Sequence, residues 1–277
     1  MSEANDELVL VDTHDGVTTL TMNNPPKLNA WTMSMLEALR EAFEEAARDD
    51  EVGAIILTGT DPYYCAGVNL TSVITLDHPA KLHAFIAEQN EQLFEIFLGF
   101  PKPILAAVNG PAIGASVTSS VLCDAVIASE EATFSTPFAK LGVTPEGCSS
   151  VLFPTLFGPE AAERMLGDEG WKPTGKEAAE IGLADRVVPH DALLDEAHAM
   201  AREWVEKGRE RTFKAGMSLE ELRTINARES RELAYAFLGA DFLRGQFEFL
   251  WSRDKYAPAL VFLALLLSRP VWAKFIP

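Results

Sequence analysis

The spacing of apolar and polar residues changes along the chain, and each change marks an element. Glu7–Thr13 and Val17–Asn23 alternate apolar and polar positions and are rich in β-branched residues, the pattern of half-buried strands. His14-Asp15-Gly16 between them predicts a tight hairpin turn. Asn24-Pro25-Pro26-Lys27-Leu28-Asn29 reads as a loop. A helix follows, capped by Thr32 or by Ser34, which completes a capping box with Glu37. Its stripe is Met35, Leu36, Leu39, Phe43, Ala46 and Ala47. Val52–Thr58 is a continuous apolar run, the pattern of a buried strand. Asp77–Phe100 reads as helix, with Phe85, Gln89, Leu93, Ile96 and Phe97 near one face, and Pro101-Lys102-Pro103 stops it.

Ile104–Val108 is a second buried strand, followed by the turn Asn109-Gly110-Pro111-Ala112-Ile113-Gly114-Ala115 and a small-residue helix over Ser116–Leu122. Ala125–Ala128 and Ala132–Phe134 are short strands. After Pro159 the period becomes helical, interrupted at Gly167–Gly170 and Gly182, with Val187-Val188 as a last strand. From Asp191 onward the pattern predicts helices near 191–207, 209–225 and 228–253. The apolar run Ala257–Leu267, broken by Pro258, is too short to span a bilayer and predicts a buried or subunit-facing helix. Strands and helices thus alternate over the first two thirds, and helices fill the last. This is an α/β chain, with no near-identical repeat and no long linker.

Composition narrows the partners. The formal charge is −18 over 277 residues, which argues against nucleic acid, whose recognition needs clustered Lys and Arg. An anionic ligand needs a local basic patch instead. Cys65, Cys123 and Cys148 are odd in number and lack metal-ligand spacing, so we expect no metal and a reduced, cytoplasmic setting. The N-terminus is acidic and polar, unlike a signal or transit peptide, and the C-terminus carries no peroxisomal address. No membrane insertion is expected.

Two stretches carry candidate chemistry. Strand, glycine-containing turn and helix around Gly114 leave free backbone N–H groups at a helix N-terminus, where negative charge is stabilised. Glu146, in Pro145-Glu146-Gly147-Cys148, sits among Leu141, Val143, Val151, Leu152 and Phe153. A carboxylate in apolar surroundings is a candidate general base with a raised pKa. Together, anion-stabilising amides and one buried carboxylate suggest enolate chemistry. A solvated loop is the ordinary fate of a lone Glu, and the combination outweighs it. Cys148 has no histidine beside it in sequence and is expected to pack as a small buried residue rather than act as a nucleophile.

Asn29-Ala30 before a helix, Cys65-Ala66-Gly67-Val68-Asn69-Leu70, Ala107-Val-Asn-Gly-Pro-Ala-Ile-Gly114, Cys123-Asp124, Phe134…Pro137…Leu141-Gly142 and Gly182-Leu183-Ala184…Val187 stand in a specific order and spacing. Over residues 7–200 this set resembles the crotonase (enoyl-CoA hydratase/isomerase) superfamily. The resemblance implies a ββα spiral core over 1–200, with an all-helical trimerisation region over 201–277. It implies acyl-CoA thioester substrates, with no cofactor beyond the CoA of the substrate, and a homotrimer or hexamer.

By motif position, the backbone N–H groups of Val68 and Ala115 form the oxyanion hole. Lys27, Leu28, Ala66, Gly67, Asn69, Leu70 and Gly114 fall at the acyl-CoA site, Lys27 facing a phosphate. The two glutamates of family hydratases correspond to Thr118 and Phe138, neither of which moves a proton. What remains is Glu146, at the position of the single catalytic Glu in Δ3,Δ2-enoyl-CoA isomerases of the peroxisomal type. The expected activity is migration of a 3-enoyl-CoA double bond to trans-2-enoyl-CoA. The alternatives are another crotonase reaction, such as thioester hydrolysis, and a non-catalytic acyl-CoA-binding member.

Overall fold

The structure, a computed structural model, describes residues 7–69 and 77–276. Strands β1 (Val9–His14) and β2 (Val17–Met22) form the expected antiparallel hairpin. Asp15 and Gly16 at its tip both take the left-handed backbone, with φ of 52° and 75°, as a two-residue turn between right-twisted strands requires. Thr32 caps α1 (Met33–Arg48), its hydroxyl accepting the Met35 N–H at 3.2 Å. Next come β3 (Ala54–Gly59), α2 (Pro79–Leu98), β4 (Ile104–Val108), β5 (Pro111–Ile113), α3 (Ala115–Ser120), β6 (Ala125–Ser129) and β7 (Thr133–Ser135). After them run α4 (Phe138–Leu141), α5 (Ser149–Phe157), α6 (Pro159–Leu166), α7 (Gly175–Ile181), β8 (Arg186–Val188) and α8 (Leu193–Glu206). The chain closes with α9 (Leu219–Phe237), α10 (Ala240–Trp251) and α11 (Tyr256–Trp272).

The main sheet has the order β1-β2-β3-β4-β6-β8 and is parallel from β2 onward; β5 and β7 pair in a second, two-stranded parallel sheet. The continuous apolar runs are buried on both faces because helices cover both. Alternation assigns the faces. Ile55, Leu57, Ile104, Ala106, Val108, Val126 and Ala128 join the core under α1 and α2. Ala54, Ile56, Leu105, Ala107, Ala125 and Ile127 pack against Leu193, Ala197, Ala201 and Trp204 of α8.

Three expectations need correction. On α2 the buried stripe is Leu82, Ile86, Leu93 and Phe97, whereas Phe85 is 42% exposed and, with Gln89, turns to a cavity. Residues 209–218 are not a regular helix. Arg211 and Thr212 are held instead by the buried Asp124, whose carboxylate accepts from the Arg211 guanidinium, the Thr212 N–H (2.8 Å) and the Thr212 hydroxyl (2.9 Å). Arg211 also donates to the carbonyls of Leu122 (2.6 Å) and Phe97 (3.3 Å), so this segment is fastened to the sheet end. The helix begins only at Ser218, which forms a capping box with Glu221, and it continues without a break through 226–227, where the pattern predicts an interruption.

The third correction is the C-terminal helix. Pro258 lies in the first turn of α11, where backbone N–H groups have no intrahelical partner, so it does not break the helix. Tyr256–Phe275 is consequently long and apolar enough, by length and composition, to cross a bilayer. Nor is it buried within the chain: Ala259 and Phe262 pack inward, while Leu260 (51%), Leu267 (73%) and Val271 (66%) are exposed.

Candidate active site

The loop ending at Val68, the end of β5 and the turn that bears Glu146 meet at a site whose walls also come from α1, α2, α3, α4 and α9. The loop Cys65–Asn69 runs beside β5, with the Cys65 N–H donating to the Pro111 carbonyl (3.2 Å) and the Ile113 N–H to the Cys65 carbonyl (3.0 Å). This pairing sets Val68 next to the end of β5, where Gly114 (φ 62°) turns the chain into α3 and presents the Ala115 N–H as the first helical amide. Gly67 adopts φ 80°, and a Cβ on it would lie 2.5 Å from the Ile113 carbonyl oxygen, so the approach requires glycine. Among the described residues no hydrogen bond reaches the Val68 or Ala115 N–H.

Glu146 sits on a turn held in an uncommon backbone conformation: Gly147 and Cys148 both have φ 64°. A Cβ on Gly147 would fall 2.4 Å from a Phe94 ring carbon and 2.8 Å from the Thr118 hydroxyl, so this turn too is wedged against its neighbours. The Glu146 carbonyl accepts the Ser149 N–H (3.2 Å) and hydroxyl (2.7 Å), tying the turn to the start of α5. Its residue exposure is 7%, and among the described residues no hydrogen bond reaches its carboxylate. Burial, and then the nearby Glu229, push its pKa up from 4.5 to about 8.

Two adjoining cavities meet at this carboxylate. One, of about 190 Å³, is walled by Ala66, Gly67, Val68, Gly114 and Ala115 together with Phe138, Leu141, Val143 and Glu146. The other, of about 150 Å³, is mostly apolar, with Met33, Leu36, Phe85, Ile86 and Leu93 around it. Val68, Glu146, Leu233 and Phe237 line both. Among the described wall residues of the two cavities Glu146 is the only carboxylate. Phe138 is part of the wall itself, and Thr118 spends its hydroxyl on the Ala115 carbonyl at 3.3 Å. This arrangement can take a proton from a carbon acid while two amides face the charge that develops on its oxygen.

The structure therefore brings Glu146, Val68, Ala115, Ala66, Gly67 and Gly114 together around one space. Lys27 and Leu28 are exposed and lie outside the walls of both cavities, on the strap that the Leu28 carbonyl joins to the Ala66 N–H (3.0 Å). Asn69 continues the strap, donating its N–H to the Trp31 carbonyl at 3.0 Å. Leu70 lies outside the described residues. Cys148 is buried, as expected, its thiol pointing to the Leu222 carbonyl at 3.3 Å.

Sequence reasoning missed the contribution of α9. Leu222, Asn226, Glu229, Leu233 and Phe237 form its buried stripe, the last two reaching both cavities. The capping box at Ser218 and Glu221 was the available signal, because a helix begun there places all five on one face. Asn90 of α2 was also overlooked; it lines the apolar cavity and donates to the Ser230 hydroxyl at 3.1 Å.

The profile of a family described as enoyl-CoA hydratase/isomerase matches residues 12–241. Human enoyl-CoA delta isomerase 2 is 35% identical over 268 residues, covering 90% of this chain and 64% of its own length. Mouse peroxisomal enoyl-CoA delta isomerase 3 is 40% identical over 192 residues, covering 68% of this chain and 59% of its own length. This chain thus spans slightly less than two thirds of these relatives. A crystal structure of an enoyl-CoA hydratase/isomerase from Pseudoalteromonas atlantica T6c superposes with a TM-score of 0.75 at 28% identity, covering 88% of this chain and 97% of the other.

Proposed function

Because the chain belongs to the enoyl-CoA hydratase/isomerase family, with its crotonase fold, we propose that it is a Δ3,Δ2-enoyl-CoA isomerase. The observation that carries this reading is the solitary carboxylate. Glu146 is buried in a largely apolar wall shared with Val68 and Ala115, whose N–H groups have no hydrogen-bond partner among the described residues, and Thr118 and Phe138 offer no second acid. Moving a double bond from C3 to C2 needs one base that removes a proton from C2 and returns it at C4. Hydration additionally needs a water to be activated and placed, work shared by two acids.

In the proposed reaction the thioester oxygen is held by the Val68 and Ala115 N–H groups, which stabilise the dienolate formed when C2 loses its proton to Glu146. Raising the carboxylate's pKa to about 8 strengthens it as a base, narrowing the gap to the carbon acid, and leaves roughly a tenth of it ionised at pH 7 and half at about pH 8. The names of the delta isomerases at 35% and 40% identity support the same reaction class.

The test compares wild type and Glu146→Gln on a 3-enoyl-CoA, following conjugated 2-enoyl-CoA and free CoA in the same sample. The expected result is double-bond migration by wild type, reduced about 100- to 10,000-fold in the variant. Free CoA release without migration, or full migration by the variant, overturns the proposal.

A further inference from the structure

Glu229 is a second buried acid, and only one of its two carboxylate oxygens is hydrogen-bonded. It lies on α9 with its residue fully buried. One carboxylate oxygen accepts the Ser150 N–H at 3.0 Å and the Ser150 hydroxyl, while the other is buried with no hydrogen-bond partner among the described residues. Leaving a carboxylate oxygen dry and unpaired costs stability, so an acid at such a position calls for another reason. The same carboxylate sits at the N-terminus of α5, whose own N-cap, Cys148, supplies no side-chain cap. A carboxylate there is favoured by the helix dipole and replaces the missing cap from a different helix.

The location matters because α5 begins immediately after the turn that bears Glu146. Ser149 ties that turn through the Glu146 carbonyl, and Ser150, the next residue, is tied to Glu229. We infer that Glu229 is a positioning residue for Glu146: through Ser150 it anchors the left-handed Gly147-Cys148 turn, and it stands as a second negative charge behind the base. This rests on the reading of Glu146 as the base.

The charged and titratable groups around the pair are few. Glu146 is raised by burial first and by Glu229 second. Glu229 is itself raised to about 7 by burial, opposed first by the hydrogen bonds from Ser150, then by the nearby Cys148 backbone and by Arg228. Arg228 also donates to the Ser150 hydroxyl at 3.0 Å. The Cys148 thiol, pushed up to about 12 by burial, stays protonated. On α2, packed along α9, Glu95 is paired with Arg223, His83 lies against the Tyr235 ring and Glu91 is exposed.

Glu229→Gln keeps an acceptor for Ser150 and removes the charge; Glu229→Ala removes both. For Glu229→Gln the acid limb of the kcat/KM profile should move down by about one pH unit, with a melting temperature at pH 8 equal to or above wild type. For Glu229→Ala, kcat should fall about 10- to 100-fold with KM within about threefold, the pattern of a displaced base rather than lost binding. Carboxyl titration of Glu146 by NMR with 13C-labelled glutamate gives a readout independent of turnover and of whether Glu229→Ala folds. Its midpoint should fall by about one unit in Glu229→Gln. An unchanged Glu146 midpoint and pH profile in Glu229→Gln overturn the inference. If those are unchanged while Glu146→Gln is inactive, the inference alone fails; if Glu146→Gln is fully active, the reading of Glu146 fails instead.

Discussion

Val68 and Glu146 line the same two cavities, so a molecule occupying either space meets both residues. Val68 arrives on a loop that runs beside β5, and Glu146 on a turn wedged against α2 and α3. Neither depends on the other for its position. The juxtaposition of the two residues is therefore a property of the packed core, and each of its components can be perturbed separately.

The amide of Ala115 can be removed with little damage to the fold. Ala115 is the first residue of α3, where proline is tolerated because the N–H has no intrahelical partner. We expect Ala115→Pro to retain its circular dichroism spectrum and to lose about 100- to 1,000-fold in kcat on a 3-enoyl-CoA. A variant with wild-type kcat would show that this amide does not stabilise the transition state.

Gly67 holds the other amide in place. Gly67→Ala puts a Cβ 2.5 Å from the Ile113 carbonyl oxygen on a backbone with φ 80°. Strain of this kind should lower unfolding free energy by about 2–4 kcal/mol in urea titration, and reduce activity in whatever fraction folds. Equal stability would mean that the loop and β5 separate more easily than their hydrogen bonds indicate.

The pH dependence of stability follows from Glu146. Its folded pKa, about 8, is above the ordinary 4.5, so its contribution is fully present below about 4.5 and is lost as pH rises through about 8. Glu146→Gln escapes that loss. Its melting temperature should match wild type near pH 4.5 and exceed it above pH 8, by a margin on the order of 5 kcal/mol in unfolding free energy. A constant difference across this range would place the carboxylate in contact with water.

Asp124 fastens residues 209–212 to the end of β4, accepting also the Ile104 N–H at 2.8 Å. Its side chain is fully buried and that of Arg211 is 8% exposed. Asp124→Ala leaves a buried guanidinium uncompensated and should cost about 3–5 kcal/mol by urea or thermal unfolding. A cost under about 1 kcal/mol would show that the segment between α8 and α9 is held without Asp124, by packing and by the Arg211 bonds to the Leu122 and Phe97 carbonyls.

Most of the scaffold was legible in the sequence because its signals are local. Asp15-Gly16 selects a turn, Thr32 caps a helix, and the run Ile104–Val108 becomes a strand of those very bounds. The motifs around Gly67, Gly114 and Glu146 were legible for the same reason, being backbone requirements written in glycine and proline. What escaped was decided at long range. Arg211 and Thr212 leave the helical state because Asp124, far away in sequence, binds them. The cavity-facing role of Phe85 depends on where α9 packs, which no window of α2 contains.

By itself, then, the sequence determined the alternation of strands and helices, the glycine-bearing turn at Gly114, and the presence of one acid, Glu146, among apolar neighbours, while the resemblance to a family assigned the amides of Val68 and Ala115. Tertiary structure decided that Val68, Ala115 and Glu146 line one space, and that α9 contributes Leu233 and Phe237 to its wall. It also tied a second carboxylate, Glu229, to Ser150 at the start of α5. The division has a physical cause. Backbone conformation is set by each residue and its immediate neighbours, whereas burial, and the shift it imposes on a carboxylate, exists only after distant segments have excluded water from the same place.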